Sequence, residues 1–573
     1  MDRTAWIAVT LCVIGLILWE IYVAKQTRPN PAMITAPSPQ PISPPALATS
    51  TPAPLASPAA AETPNPSETI PSFQERIETL RNAEVELRLT TRGGGISEAI
   101  LLNHKAEGDQ RVVLNSPQRT PIGALVDNPA APLLPEFKIT RQDDVMQLEY
   151  TTPEQVLVRK TLSFQTSAAR KDEFVAELDV DLTNQGTQPY EKPGYFVALG
   201  SAASIHPRDY PSYTRLVWSV DGRARGIDVG WFGGGGGLFG IGQRPAQPFY
   251  QQSVGGAEWV AVSNQFFTTL IAPLSAKAIN TWARRFEIDQ WPGQKAFGIE
   301  GALGMPGFQL PPGQTYRAKF ELYLGPKIYH RLAQLEHNEA EIMDFGIFKL
   351  ICQFLLNFMN LLHSWFKDYG LAILGLTTII KLVLWPIQNR ANRSMRQMSA
   401  LSPKMQELRE KYKDDPTRMN QEVMKLYKEY GINPVGGCLP MLIQIPIFFG
   451  LFKMLGQAVE LRNAKFLWVR DLSQPDTVTH LPILGWPVNI IPLCMAATQI
   501  WLMAMTPKTG DATQRRVMMF TPLIFLFICY NFAAALALYY TTQNLFSILQ
   551  FYQNKRQPVP TLQKVAPAGK RKR

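Results

Sequence analysis

Lys381 lies inside an apolar run, LAILGLTTIIKLVLWPIQNR. It sits about ten residues from either end, or roughly 15 Å from each face of a bilayer at helical rise. A lysine at that depth costs about 2.5–3.5 kcal/mol on insertion scales, so its ammonium is expected to face water or protein rather than lipid. Snorkelling along the four-carbon stem is the alternative. Thr377 falls one turn earlier on the same face, and Gln444, Asn531, Gln543 and Asn544 add polar groups in other apolar segments. No intramembrane Asp or Glu accompanies Lys381, which argues against a proton relay or cation pathway. An unpaired cation in a wet intramembrane pocket would attract acidic or polar peptide groups, and so points to the handling of polypeptide.

Other chemistry is thinly supplied. The five cysteines, Cys12, Cys352, Cys438, Cys494 and Cys529, show no CxxC or Cys/His spacing. They read as small buried hydrophobes, and no metal, cofactor or catalytic residue is expected. The run Gly233 to Gly237 lacks the following Lys-Ser/Thr of a phosphate loop. His104 and His206 have no evident catalytic partner. Trp218, Trp231, Trp259 and Trp291 could form a sugar platform, the basis of a rival reading as a membrane-tethered carbohydrate-binding protein, although packing is the commoner role for tryptophan in a sandwich.

The elements that must position these groups follow from hydropathy. The chain has 573 residues, of which 18% are charged, against about 25% in soluble domains. Residues 5–23 make an apolar run with no small-residue cleavage signature, expected as a retained anchor within 1–27. Residues 28–72 are rich in Pro, Ala, Ser and Thr, and read as an extended tether. From 73 to 342 the pattern alternates, as in Val85-Glu86-Leu87-Arg88-Leu89 and Phe174-Val175-Ala176-Glu177-Leu178-Asp179-Val180. Turn residues such as Gly93-Gly94-Gly95 and Pro311-Pro312-Gly313 punctuate it, which predicts a large antiparallel β-sandwich.

Beyond it, 343–368 reads as an amphipathic helix lying in the membrane interface. Lys349, Gln353, Asn357, Asn360, His363 and Lys367 line one face, and Phe348, Cys352, Leu355, Met359, Leu362 and Phe366 another. Spans are expected at 369–387, 436–457, 481–505, 517–531 and 532–552. The last two form a hairpin because their 35-residue apolar block is too long for one crossing, with Asn531 the expected reversal. With the anchor, six spans result. The net charge of +11 is concentrated between them. Segment 388–435 has ten basic and six acidic residues, loop 506–516 has Lys508, Arg515 and Arg516 against Asp511, and tail 553–573 has seven basic residues and no acid. The positive-inside rule puts these segments and both termini in the cytoplasm, with the β-domain and loop 458–480 outside.

Segment 388–435 reads as two helices on an apolar seam, Met395, Met398, Leu401, Met405, Leu408 and Tyr412, then Met419, Val423, Leu426 and Tyr430, broken at Ser402-Pro403 and Asp414-Asp415-Pro416. There follows Asn433-Pro434-Val435-Gly436-Gly437-Cys438-Leu439-Pro440-Met441-Leu442-Ile443-Gln444-Ile445-Pro446-Ile447-Phe448. This stretch closely resembles the YidC membrane-protein insertase family, whose third span opens with NPxGGCxPxxIQxPxF. The preceding basic hairpin, the Tyr539-Tyr540…Asn544 segment and the order of anchor, exported β-domain and five-span core extend the resemblance over essentially the whole length. Ala533-Ala534-Ala535 departs from the Pro-Ser-Gly turn frequent in relatives.

The resemblance implies a polytopic helical protein of a Gram-negative inner membrane that inserts and chaperones nascent membrane proteins through a hydrophilic intramembrane groove. Lys381 stands where the family usually has an arginine, a cation with a planar multi-donor fork that lysine lacks. Thr377, Gln444, Tyr540 and Asn544 join it in the implied groove. Leu442, Ile445, Phe448, Phe449, Phe525 and Phe527 form a greasy slide for the client's apolar segment. Implied partners are nascent membrane proteins, the Sec translocon, the ribosome and anionic lipids, with no sequence-specific nucleic acid. A secondary transporter or channel is the other rival, and it would call for inverted repeats or a paired intramembrane carboxylate.

Overall fold

A computed structural model of the chain describes residues 73–164, 172–234, 244–289, 291, 293, 295–413, 415–432, 439–482, 485–506 and 512–556. The expected anchor and tether, the Asn433–Cys438 portion of the third-span motif and residues 557–573 of the basic tail lie outside these residues.

Residues 77–326 fold into antiparallel sheets. A nine-stranded sheet runs, edge to edge, Arg223–Asp228, Arg215–Val220, Trp259–Ser263, Phe267–Pro273, Thr315–Pro326, Val175–Asn184, Val156–Phe164, Val145–Thr151 and Lys138–Gln142. Five strands, Phe249–Ala257, Ala278–Ile288, Ala296–Leu310, Tyr190–Ala202 and Leu125–Val126, make a second sheet, and 77–114 supply a third of four. Period-two hydrophobicity has the expected effect: Ala176, Leu178, Val180 and Leu182 are all buried while Glu177, Asp179 and Asp181 are not. The sandwich core is continuous with the helical core through Leu332, Ile342, Met343 and Phe345.

One charge is sealed inside this domain. Lys160 is fully buried and donates to the carbonyls of Gly93 (3.0 Å), Gly94 (2.7 Å) and Gly123 (2.9 Å). The Gly93-Gly94 turn takes left-handed backbone, and a Cβ on Gly94 would come within 2.5 Å of the Phe137 ring, so glycine is required there. Burial pushes the Lys160 amine down to about 7. At the domain's exit, Arg215 meets Asp344 at 2.6 Å, and this guanidinium holds the Asp344 carboxyl below its ordinary range.

The helical part comprises α1 (Lys349–Phe366), α2 (Tyr369–Ala400), α3 (Ser402–Lys411), α4 (Pro416–Glu429), α5 (Leu439–Leu455), α6 (Ile490–Met505), α7 (Ala512–Cys529) and α8 (Ala534–Lys555). Among the described residues, Gly346–Phe366 and Tyr369–Ala400 are long and apolar enough to cross a membrane; Leu442–Leu455, Ile490–Met505 and Phe520–Cys529 are shorter apolar helices. Where the sequence suggested a span ending at 387, α2 continues through Pro386 to Ala400, and the first basic stretch is its extension. Pro403 then sits in the first turn of α3, where its missing N–H is harmless. α3 and α4 close on a small core of Leu401, Met405, Tyr427 and Ile432. α7 and α8 are separated by residues 530–533.

In α1 the expected lipid-facing stripe is the protein-facing one. Cys352, Leu355, Met359 and Leu362 are buried, and Cys352 Sγ donates to Gly450 O of α5 at 3.3 Å. The exposed face is a second apolar set, Leu350, Phe354, Leu361 and Trp365. An 18-residue helix with two apolar faces uses the first against neighbouring helices and leaves the second exposed. The expectation of buried cysteines also needs one correction: Cys494 is exposed on α6.

Candidate functional site

Lys381 projects from the middle of α2 toward α8. Its Nζ donates to Ser547 Oγ at 2.7 Å and to Gln388 Oε1 at 3.3 Å, and no carboxylate pairs with it among the described residues. Ser547 in turn donates to Gln543 O at 2.9 Å, and Gln543 Oε1 accepts from Gln444 Nε2 of α5 at 3.2 Å. Three helices therefore share one polar network, with Lys381 and Gln444 linked through α8.

The network continues down the α2–α8 seam. Gln550 Nε2 donates to Trp385 O (3.2 Å) and Asn389 Oδ1 (2.8 Å), Asn554 Nδ2 donates to the same Asn389 oxygen (3.1 Å), and Arg396 reaches Asn554 O. Ser547, Gln550, Asn554, Gln388 and Asn389 escaped the sequence reading. Their signal was present: Gln543, Ser547, Gln550 and Asn554 recur at 4, 3 and 4, one face of a helix.

Other expected groove residues lie differently. Lys381 is 3% exposed, so the wet pocket expected around it is closed by the side chains that bond it. Thr377 is buried and its hydroxyl donates to Ile373 O of its own helix at 2.7 Å. Asn544, one residue on from Gln543 and therefore about 100° around α8, turns away to Met495 O (3.3 Å) and Thr498 Oγ1 (3.2 Å) of α6. Tyr540 meets Phe448 and Phe525, each at 5.4 Å between centroids, and its buried hydroxyl has no hydrogen-bond partner among the described residues.

The slide residues divide into three groups. Leu442, Ile445 and Phe527 are exposed, with Phe527 the most open at 86%. Phe448 and Phe525 form the aromatic cluster with Tyr540 that joins α5, α7 and α8. Phe449 instead stacks on Phe348 at 5.7 Å, because it lies 100° around α5 from Phe448. Thus α5 carries exposed apolar residues beside Gln444 of the polar network, and the aromatic cluster joins it to α7 and α8.

The four tryptophans on which the rival carbohydrate reading rested do not form a platform. Trp218 and Trp259 are buried in the sheets, Trp231 packs edge-on to Tyr250 at 4.9 Å, and Trp291 bonds Glu107 elsewhere.

Comparison with known proteins gives these features a context. A family model described as 60Kd inner membrane protein matches residues 361–560, and one described as YidC periplasmic domain matches 78–358. A protein of Syntrophus aciditrophicus named membrane protein insertase YidC is 43% identical over 261 residues, covering 45% of this chain and 46% of the relative. One of the same name from Chlorobaculum tepidum is 34% identical over 406 residues, covering 65% and 66%. The match to the first of these relatives spans about half of its length. A solved structure titled active YidC insertase is 18% identical, covers 84% of this chain and 95% of its own, and has a TM-score of 0.35. Matched by one family model across the β-domain and by the other across the helices, this chain belongs to the YidC family of inner-membrane proteins, those with a periplasmic domain.

Proposed function

We propose that the chain inserts and folds nascent membrane proteins, with α2, α5 and α8 as the client-receiving site. The observation that carries this reading is the buried Lys381 ammonium, satisfied by Ser547 and Gln388 rather than by a carboxylate. A cation held by neutral, exchangeable partners can trade them for the polar groups of an entering chain, which a tight carboxylate pair would resist. Parting of α8 from α2 opens the site, and the client's hydrophilic segment takes over the bonds of Lys381, Gln444 and Gln543. Its apolar segment then leaves along Leu442, Ile445 and Phe527 into lipid. Transfer of an apolar helix supplies the driving force, each central Leu or Ile contributing about −0.3 to −0.6 kcal/mol. Relatives named membrane protein insertase support the same reading.

In this reading six spans cross the bilayer, the anchor included, with both termini, the α3–α4 hairpin and the basic tail in the cytoplasm. That arrangement presents the basic hairpin and tail to ribosomes and anionic lipids, and leaves the membrane-embedded flank for the Sec translocon. The site residues act by solvation, without a covalent step. Site-specific photocrosslinkers at Lys381, Gln444 and Phe448 test the proposal against a ribosome-stalled membrane protein. Adducts from all three positions are expected; their absence, with crosslinks only from the β-domain, would defeat it. Removing residues 75–330 is expected to leave insertion in place.

A further inference from the structure

The connector between α5 and α6 carries an unusual turn. Phe466 and Val469 exchange both backbone hydrogen bonds, at 3.0 and 2.8 Å, which forces Leu467 to a φ of +53°. A leucine in the left-handed region is strained and persists only where its surroundings over-determine it. Here the surroundings are firm: Val469 is buried, and the Phe466 ring lies so close to Gly370 that a Cβ there would come within 2.1 Å of it. The turn leaves Leu467 and Trp468 73% and 48% exposed between the exposed cations Lys465 and Arg470, with the Trp468 indole N–H donating to Asp476 Oδ2 at 3.1 Å and so holding the ring at the surface.

Gly370 belongs to the first turn of α2, capped by Asp368. The turn is therefore pinned where this helix ends, at the depth where a span leaves hydrocarbon for water. Tryptophan favours that depth, and nearby Lys or Arg is drawn to the phosphates of anionic headgroups. Among the described residues neither Lys465 nor Arg470 has a salt-bridge partner, so both cations are available to phosphate.

We propose that turn 465–470 is a lipid anchor, with Leu467 and Trp468 seated among the headgroups of the leaflet next to the β-domain and Lys465 and Arg470 on the phosphates of anionic phospholipid. The proposal rests on reading α2 as a span, and the test separates the two. Full-length chain with its native cysteines replaced is labelled with bimane at Leu467→Cys, Leu382→Cys on the exposed face of α2, or Glu154→Cys on the β-domain. Each is reconstituted in phosphatidylcholine vesicles with or without phosphatidylglycerol, and quenching by acyl-brominated lipid is measured. Leu467 is expected to be quenched several-fold more than Glu154, and more so with phosphatidylglycerol. The K465E/R470E pair should abolish that lipid dependence while leaving Leu382 quenching unchanged. Quenching at Leu467 no greater than at Glu154 while Leu382 is strongly quenched overturns the anchor alone, as does quenching indifferent to phosphatidylglycerol. An unquenched Leu382 brings down the span and the anchor together. A Leu467 label that is shielded only when a stalled client is added makes the turn a protein contact and overturns the anchor too.

Discussion

Lys381 Nζ and Ser547 Oγ, 166 residues apart in the chain, meet at 2.7 Å across the α2–α8 interface. The bond gives a buried cation a neutral partner, and it ties the two helices whose parting opens the site in the proposed mechanism.

The charge at Lys381 is predicted to matter more than its geometry. Lys381→Arg keeps a cation that can reach Ser547 and should insert clients near the wild-type level. Lys381→Ala removes a charged hydrogen bond of about 1.5–3 kcal/mol, equivalent to roughly a ten- to hundred-fold change in occupancy. It should slow clients with polar translocated segments most. Protease protection of clients synthesised on proteoliposomes measures this, and equal wild-type insertion by both variants would remove the charge from the mechanism.

The lower seam should behave as an energetic unit. Asn389 Oδ1 accepts from both Gln550 and Asn554, so Asn389→Ala and Gln550→Ala are expected to be coupled. Polar pairs within bilayers average about 0.6 kcal/mol and reach about 1.7. A double-mutant cycle on unfolding in mixed micelles should return a coupling in that range; strict additivity would contradict the shared bond.

Lys160 should make the β-domain's stability depend on pH in an unusual direction. Its folded pKa is pushed to about 7, whereas the unfolded amine keeps its proton up to about 10.5. Between those values the unfolded chain binds more protons, so the Lys160 contribution to stability rises with pH across that window. Lys327 and Glu339 also titrate near 7 in the folded protein, so the comparison must be differential. Near-ultraviolet circular dichroism melts of wild type and Lys160→Met, compared from pH 6 to pH 10, should differ by a rising term. Parallel curves would refute it.

Arg215–Asp344, at the exit of the β-domain, also favours the fold more as pH rises, but in an acid window. The Asp344 pKa is depressed, so its stabilisation is complete above the unfolded value of about 3.8 and fades as pH falls through the lower folded value. Asp344 is 45% exposed, so Asp344→Asn should cost about 1 kcal/mol rather than the 3–5 of a fully buried broken pair. Chemical denaturation at pH 7 checks the size, and the difference from wild type should shrink at pH 3.

Local pattern alone determined a good deal. Period-two alternation announced the antiparallel sheets because a strand buried on one face must alternate, and the apolar runs announced helices because they are too long for strands and a span must satisfy its own backbone. The single cation in its apolar run marked Lys381, and the Gln444 motif marked α5. What the chain could not display linearly is which neighbour each helix face meets. Asn544 and Gln543 are adjacent, yet one faces α6 and the other joins the Gln444–Ser547 network. Phe448 and Phe449 divide in the same way between α8 and Phe348. A rotation of 100° per residue makes such assignments depend on the packing of several helices at once. Only the assembled bundle decided that Lys381 is enclosed, with Ser547 as its partner.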